Sequence, residues 1–104
     1  MQVESEKLID KKLVELVKEN GGLCLKLLTT HVTGLPDRLC LFPKGKILFV
    51  ELKTTGKKPK KIQNLVHDRL RSLGFRVEVA SSSKQIEKII KEYEEQCEFS
   101  SGKN

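Results

Sequence analysis

Pro36-Asp37-Arg38, a turn at Pro43-Lys44-Gly45-Lys46, then Phe49-Val50-Glu51-Leu52-Lys53: this stretch decides the fold. It reads as two apolar strands joined by a hairpin. The first opens on an acid, Asp37. The second carries an acid and a lysine two residues apart. Side chains alternate along a strand, so Glu51 and Lys53 share one face and Leu52 takes the other. The hairpin can bring Asp37 alongside Glu51. Buried charge is costly. Two carboxylates about 4 Å apart repel by roughly 4 kcal/mol at an effective dielectric of about 20. A fold tolerates that company when a cation fills the gap.

Outward from this hairpin, residues 3–20 carry a helical apolar period in Ile9, Leu13, Leu16 and Val17, stopped by Asn20-Gly21-Gly22. Leu23 to Leu28 reads as a strand. Thr29 to Pro36 reads as a polar loop punctuated by Gly34 and Pro36. Asp37–Phe42 is the second strand. Ile47–Lys53 is the third, apolar on both faces and hence central. Pro59 opens a helix running to about Leu73, with Ile62, Val66, Leu70 and Leu73 facing inward and Gly74 ending it. Phe75–Ala80 is the fourth strand. Ser81-Ser82-Ser83 caps a last helix over about 84–96, with Ile86, Ile89, Ile90 and Tyr93 as its buried stripe. The order is α-β-β-β-α-β-α, an α/β chain with a small mixed sheet flanked by helices. The last strand follows a helical crossover, which favours parallel pairing.

The 104 residues suit one domain, taken as residues 1–97, with 98–104 expected to be a disordered tail. Charged residues make up 33% of the chain, which excludes a membrane span. Met1-Gln2-Val3-Glu4-Ser5-Glu6 turns polar at once and does not read as a signal peptide, so a cytoplasmic location is expected. Cys24, Cys40 and Cys97 form no Cys-x-x-Cys pair, which argues against a zinc cluster. Cys24 and Cys40 read as buried free thiols. Net charge is +6 and the pI about 9.3, which favours a polyanionic partner. Lys57, Lys58, Lys60 and Lys61 crowd the segment after the acidic strand, where they can neutralise backbone phosphates. One Tyr and no Trp make base stacking a poor candidate for the binding mode.

Hard oxygen ligands suit Mg²⁺ or Mn²⁺. Asp37, Glu51 and the carbonyl of Leu52 are the expected ligands, for an ion that polarises a phosphodiester and acidifies a water. Lys53 is placed to orient that water or to stabilise developing negative charge. Glu6 lies in line with Ile9, Leu13 and Val17 on the helical wheel and so points toward the sheet. Asp10, about 40° away, is its substitute. Glu4 projects to the polar side. Gln63 can bond the attacking water or a phosphate. His67, one turn on, reads as a satisfied residue at the rim of the apolar stripe. His31, in the threonine loop, is a candidate substrate contact. Lys26, in an otherwise apolar strand, either reaches solvent or faces the acids.

Gly34-Leu35-Pro36-Asp37-Arg38, Phe49-Val50-Glu51-Leu52-Lys53, Gln63 and Leu70-x-x-Leu73-Gly74-Phe75 together resemble the VRR-NUC family (virus-type replication-repair nucleases) of the PD-(D/E)xK superfamily. Glu6, Ile9, Leu13, Val17, Gly21-Gly22 and Lys26 extend the resemblance over roughly residues 4–82. It implies a restriction-endonuclease-like αβββαβ core with one added C-terminal helix. It implies a metal-dependent endonuclease for branched double-stranded DNA, with four-way (Holliday) junctions as substrate and a homodimer as the acting form. No membrane and no nucleotide cofactor are implied, and a phage or prophage origin would place the protein in a bacterial host cell. Carried over, Asp37 and Glu51 are metal ligands, Lys53 the catalytic lysine, Glu6 the helical acid and Gln63 the helix glutamine. A flap or linear-end nuclease and a DNA-binding module without catalysis are the rivals. A two-fold dimer matches a junction's two related strands, with the 86–93 stripe or the first helix as its interface.

Overall fold

The computed structural model describes residues 2–28 and 31–101. Its elements are α1 (Glu6–Glu19), β1 (Leu23–Lys26), β2 (Arg38–Phe42), β3 (Lys46–Leu52), α2 (Lys61–Ser72), β4 (Arg76–Ala80) and α3 (Ser83–Ser101), with one 3₁₀ turn at Pro43–Gly45. The order is the one the periodicities require. The strands form a single mixed sheet, β1-β2-β3-β4. β1, β2 and β3 run antiparallel in sequence, and β4 lies parallel to β3 after the crossover through α2. β3 is interior, as an element apolar on both faces must be.

α1 and α3 cover one face of the sheet. Ile9, Leu13 and Val17 from α1 and Ile86, Ile89, Ile90 and Tyr93 from α3 close over Cys40, Leu48 and Val50. Tyr93 OH donates to Ile47 O at 2.8 Å, which satisfies its polar end. These stripes are buried in the chain's own core, so the 86–93 stripe is not free to serve as a dimer interface, while the first helix keeps Leu8 exposed outside its buried stripe. Large apolar side chains do remain exposed elsewhere, among them Leu23 and Leu25 on β1 and Leu65, Leu73 and Phe75 on and after α2.

α2 packs on the opposite face against β4. Here the periodicity misleads. Ile62 and Leu73 are 44% and 55% exposed, while His67 is fully buried. The helix meets a carboxylate in the sheet, so a polar residue points inward and the apolar period alone does not locate the contact face. Gly34 explains how close α2 comes to the loop before Asp37. Its φ is +94°, and a Cβ there would lie 2.8 Å from Ile62 O. Gly22 is similarly tight, since a Cβ would stand 2.5 Å from Leu41 O.

Three further details depart from the sequence reading. α3 continues to Ser101, past the expected end near 96, because no Gly or Pro interrupts the chain between Ser83 and Gly102. Residues 102–104 of the expected tail lie outside the described residues, as do Thr29 and Thr30. Glu4 does not project to the polar side. Its carboxylate accepts from Ser83 N at 2.7 Å and from the Ser83 hydroxyl, capping α3 across 79 residues of sequence. Those hydrogen bonds hold the Glu4 carboxyl below its usual range. Cys40 is buried, Cys24 is half-buried, and both are free, with sulfurs 3.9 Å apart.

Candidate active site

The site lies where β2 begins and β3 ends. Arg38 pairs with Val50, and continuing that register sets Asp37 opposite Glu51. Asp37 is anchored at both ends: its carbonyl accepts from Leu27 N at 2.9 Å, and its Oδ2 accepts from Leu52 N at 2.7 Å. Glu51 is 1% exposed. Its Oε2 accepts from Gln63 Nε2 at 2.9 Å and pairs with Lys53 Nζ at 3.2 Å. Its Oε1 has no hydrogen-bond partner and stands 3.6 Å from His67 Nε2.

Burial raises the Glu51 carboxyl to about 7, and the charge of Asp37 adds to it, while Lys53 pulls the other way. Glu6 contributes a smaller upward push. Burial, then the charge of Arg71, holds His67 below the ordinary histidine value, so the ring is neutral at pH 7. A neutral imidazole beside a carboxylate that resists ionisation is an arrangement short of positive charge. Shifted carboxyl groups of this kind are enriched at functional sites, which makes this cluster the candidate.

Two clefts meet at Asp37. One, of about 370 Å³, is lined by Thr33, Gly34, Asp37, Lys53, Lys60 and Gln63 among others. The other, of about 460 Å³, is lined by Glu6, Lys7, Asp10, Lys26, Asp37, Arg38 and Leu52. Among the described residues no three or more His, Cys, Asp or Glu side chains converge as a metal cluster. An ion here would rest on Asp37, Glu51, the Leu52 carbonyl and water. That set suits Mg²⁺ or Mn²⁺, which keep several waters. The fit has a direct observation behind it. Glu51 Oε1 is a buried carboxylate oxygen without a partner, and a cation would satisfy it.

A solved structure described as a VRR_NUC domain superposes on this chain with a TM-score of 0.80. It is 36% identical and covers 86% of this chain and 99% of its own. A phage protein named "Putative nuclease p44", from Acyrthosiphon pisum secondary endosymbiont phage 1, is 43% identical over 82 residues. That match spans 79% of this chain and 88% of the relative. The chain belongs to the VRR-NUC family of nucleases. No family model matches it, so membership rests on these two likenesses.

Within the VRR-NUC fold, the remaining sequence candidates separate. Asp10 is taken by Arg38, whose Nε and Nη2 donate to its two oxygens at 2.8 and 2.7 Å. Glu6, one turn earlier, is exposed on the cleft shared with Asp37 and is the helical acid left facing the site. Lys26 is exposed and lines that same cleft with Glu6, Asp10 and Asp37. Lys60 lines the other cleft, and Lys57, Lys58 and Lys61 are exposed around it in sequence. His31 is exposed and lines neither cleft. Gln63 lines the first cleft, with its Nε2 donating to Glu51 Oε2 at 2.9 Å and its Oε1 accepting from Lys60 N at 2.8 Å.

His67 is the residue the sequence reading undervalued. It is not at a rim but fully enclosed, and both ring nitrogens lack partners. The available signal was its spacing from Gln63, since residues four apart share a helix face. Arg38, which follows Asp37 in that same stretch, has its partner on α1. Only the fold brings it to Asp10, 28 residues away in sequence.

Proposed function

We propose that this chain is a divalent-metal-dependent endonuclease for branched DNA, four-way junctions foremost, acting as a homodimer. One observation carries the reading: a buried Glu51, coupled electrostatically to Asp37 and held by Lys53, at the strand ends of a nuclease fold. A divalent ion held by Asp37, Glu51 and the Leu52 carbonyl would polarise the scissile phosphate and supply an acidified water. The chain's own residues do the rest. Asp37 is fixed by Leu52 N, so its second oxygen keeps a set direction. Lys53 balances Glu51 at 3.2 Å and would stabilise negative charge growing on the phosphate. Glu6 and Lys26 border the same cleft and set its polarity. Lys57, Lys58, Lys60 and Lys61 take up neighbouring phosphates without reading sequence. Two identical sites related by a two-fold axis match the two related strands of a junction.

The test is cleavage of a fixed four-way junction with Mg²⁺ or Mn²⁺, with product mapping and a solution mass under the same conditions. Paired symmetric nicks from a two-chain particle are expected. Asp37→Asn keeps an acceptor for Leu52 N but removes the charge, so cleavage should fall by more than the roughly 100-fold typical of losing an outer-shell partner. Full activity in EDTA, or in Asp37→Asn, overturns the reading. Equal cutting of flaps and linear ends would reassign the substrate within the same chemistry. Junction binding without any metal-dependent product would indicate a binding module.

A further inference from the structure

α2 turns two polar side chains, Gln63 and His67, toward one buried carboxylate. Gln63 Nε2 and Lys53 Nζ both lie on Glu51 Oε2, at 2.9 and 3.2 Å. A carboxylate oxygen has two lone pairs, so Oε2 is fully engaged. Oε1 is the oxygen with capacity left, and the group beside it is His67 Nε2 at 3.6 Å. Among the described residues, Oε1 and the two nitrogens of His67 are the side-chain atoms that are buried with no hydrogen-bond partner.

An unpaired buried polar atom has lost its water and gained nothing in return. Leu or Phe at position 67 would fill the same space without exposing ring nitrogens to that cost. Arg71, Asp68, Lys53 and Asp37 act on the ring only through their charge. The gap to Oε1 is a few tenths of an ångström beyond a hydrogen bond. A small rotation of either side chain closes it.

We propose that His67 is a positioning residue for the metal site: its Nε2–H donates to Glu51 Oε1 when an ion is bound, leaving that oxygen one lone pair directed at the ion. α2 then grips both oxygens of the carboxylate from one helix face, Gln63 on Oε2 and His67 on Oε1. The inference rests on the metal site proposed above. It adds a residue whose work is to orient a ligand and which does not itself touch substrate.

The experiment titrates Mn²⁺ alone into the full chain by calorimetry, comparing wild type with His67→Phe and His67→Gln. The glutamine amide nitrogen stands in for Nε2, whereas phenylalanine keeps the ring volume without a donor. The apparent Kd is expected to rise roughly 10–100-fold in His67→Phe and to return to within about 3-fold of wild type in His67→Gln. In cleavage, the deficit of His67→Phe should disappear at saturating Mn²⁺, a change in metal requirement and not in the maximal rate. A Kd for His67→Phe within about 2-fold of wild type, or a His67→Gln variant as weak as His67→Phe, overturns the inference. Should His67→Phe not fold, His67→Leu against His67→Gln makes the same comparison. A wild type that binds no Mn²⁺ fails at the metal site itself. Failure of the His67 role alone leaves wild-type binding intact.

Discussion

Replacing Glu51 by Gln should stabilise the metal-free protein, and increasingly so as the pH rises. Burial and the nearby Asp37 lift this carboxyl to about 7, from an ordinary value of 4.5. At about 1.4 kcal/mol per pH unit, that gap means the ionised side chain opposes folding by about 3 kcal/mol well above pH 7. The sign follows from where the proton sits. Between pH 4.5 and pH 7 the folded chain holds a proton that the unfolded chain has released. The group's contribution to stability is therefore complete below the lower value and is lost as the pH rises through the upper one. Glu51→Gln has no proton to lose. Its stability relative to wild type should grow by about 2 kcal/mol from about pH 5 to pH 8. The attraction of Lys53 Nζ, 3.2 Å from Glu51 Oε2, acts on the ionised carboxylate and is already contained in the value of about 7. Urea denaturation in EDTA at several pH values measures the difference, and a melting shift on the order of 10 °C should accompany it at the alkaline end. Mg²⁺ should close most of the gap: at about 100 times its Kd, wild type gains roughly 2.7 kcal/mol and the variant does not. A stability gap that stays flat with pH, or narrows as pH rises, refutes the account of Glu51.

Two further expectations concern the surroundings of the site. Changing Lys57, Lys58, Lys60 and Lys61 to Gln together should weaken binding to every DNA sequence, and should reduce the slope of log K against log salt by about 0.9 for each phosphate no longer neutralised; an unchanged slope means these lysines are only solvated. Asp10→Asn should cost about 1 kcal/mol of stability, with a comparable coupling to Arg38→Met in a double-mutant cycle, while cleavage persists. Loss of cleavage without loss of stability would instead make Asp10 the helical acid in place of Glu6.

Much of this protein was legible in its chain because the relevant rules are local. A two-residue period puts Glu51 and Lys53 on one strand face whatever surrounds them. A hairpin of short loop fixes which residue of β2 faces which of β3, so the pairing of Asp37 with Glu51 follows from the turn at Pro43–Gly45. The stripes Ile9-Leu13-Val17 and Ile86-Ile89-Ile90-Tyr93 are buried as their spacing requires. On α2 the same period assigns Ile62 and Leu73 to the core and His67 to the rim, and the fold exposes the first two and buries the third. Apolar periodicity assumes an apolar neighbour, and the neighbour there is a carboxylate.

What the sequence by itself determined is the order of elements, the face each side chain takes, and the meeting of an acid from one strand with an acid and a lysine from the next. Only the tertiary structure decided that Asp10 belongs to Arg38, that Glu4 caps a helix 79 residues away, and that Glu51 and His67 confront each other out of reach of water. The physical reason is desolvation. Periodicity fixes direction, but whether a polar atom keeps its water depends on what distant segments bring over it, and that is a property of the packed chain alone.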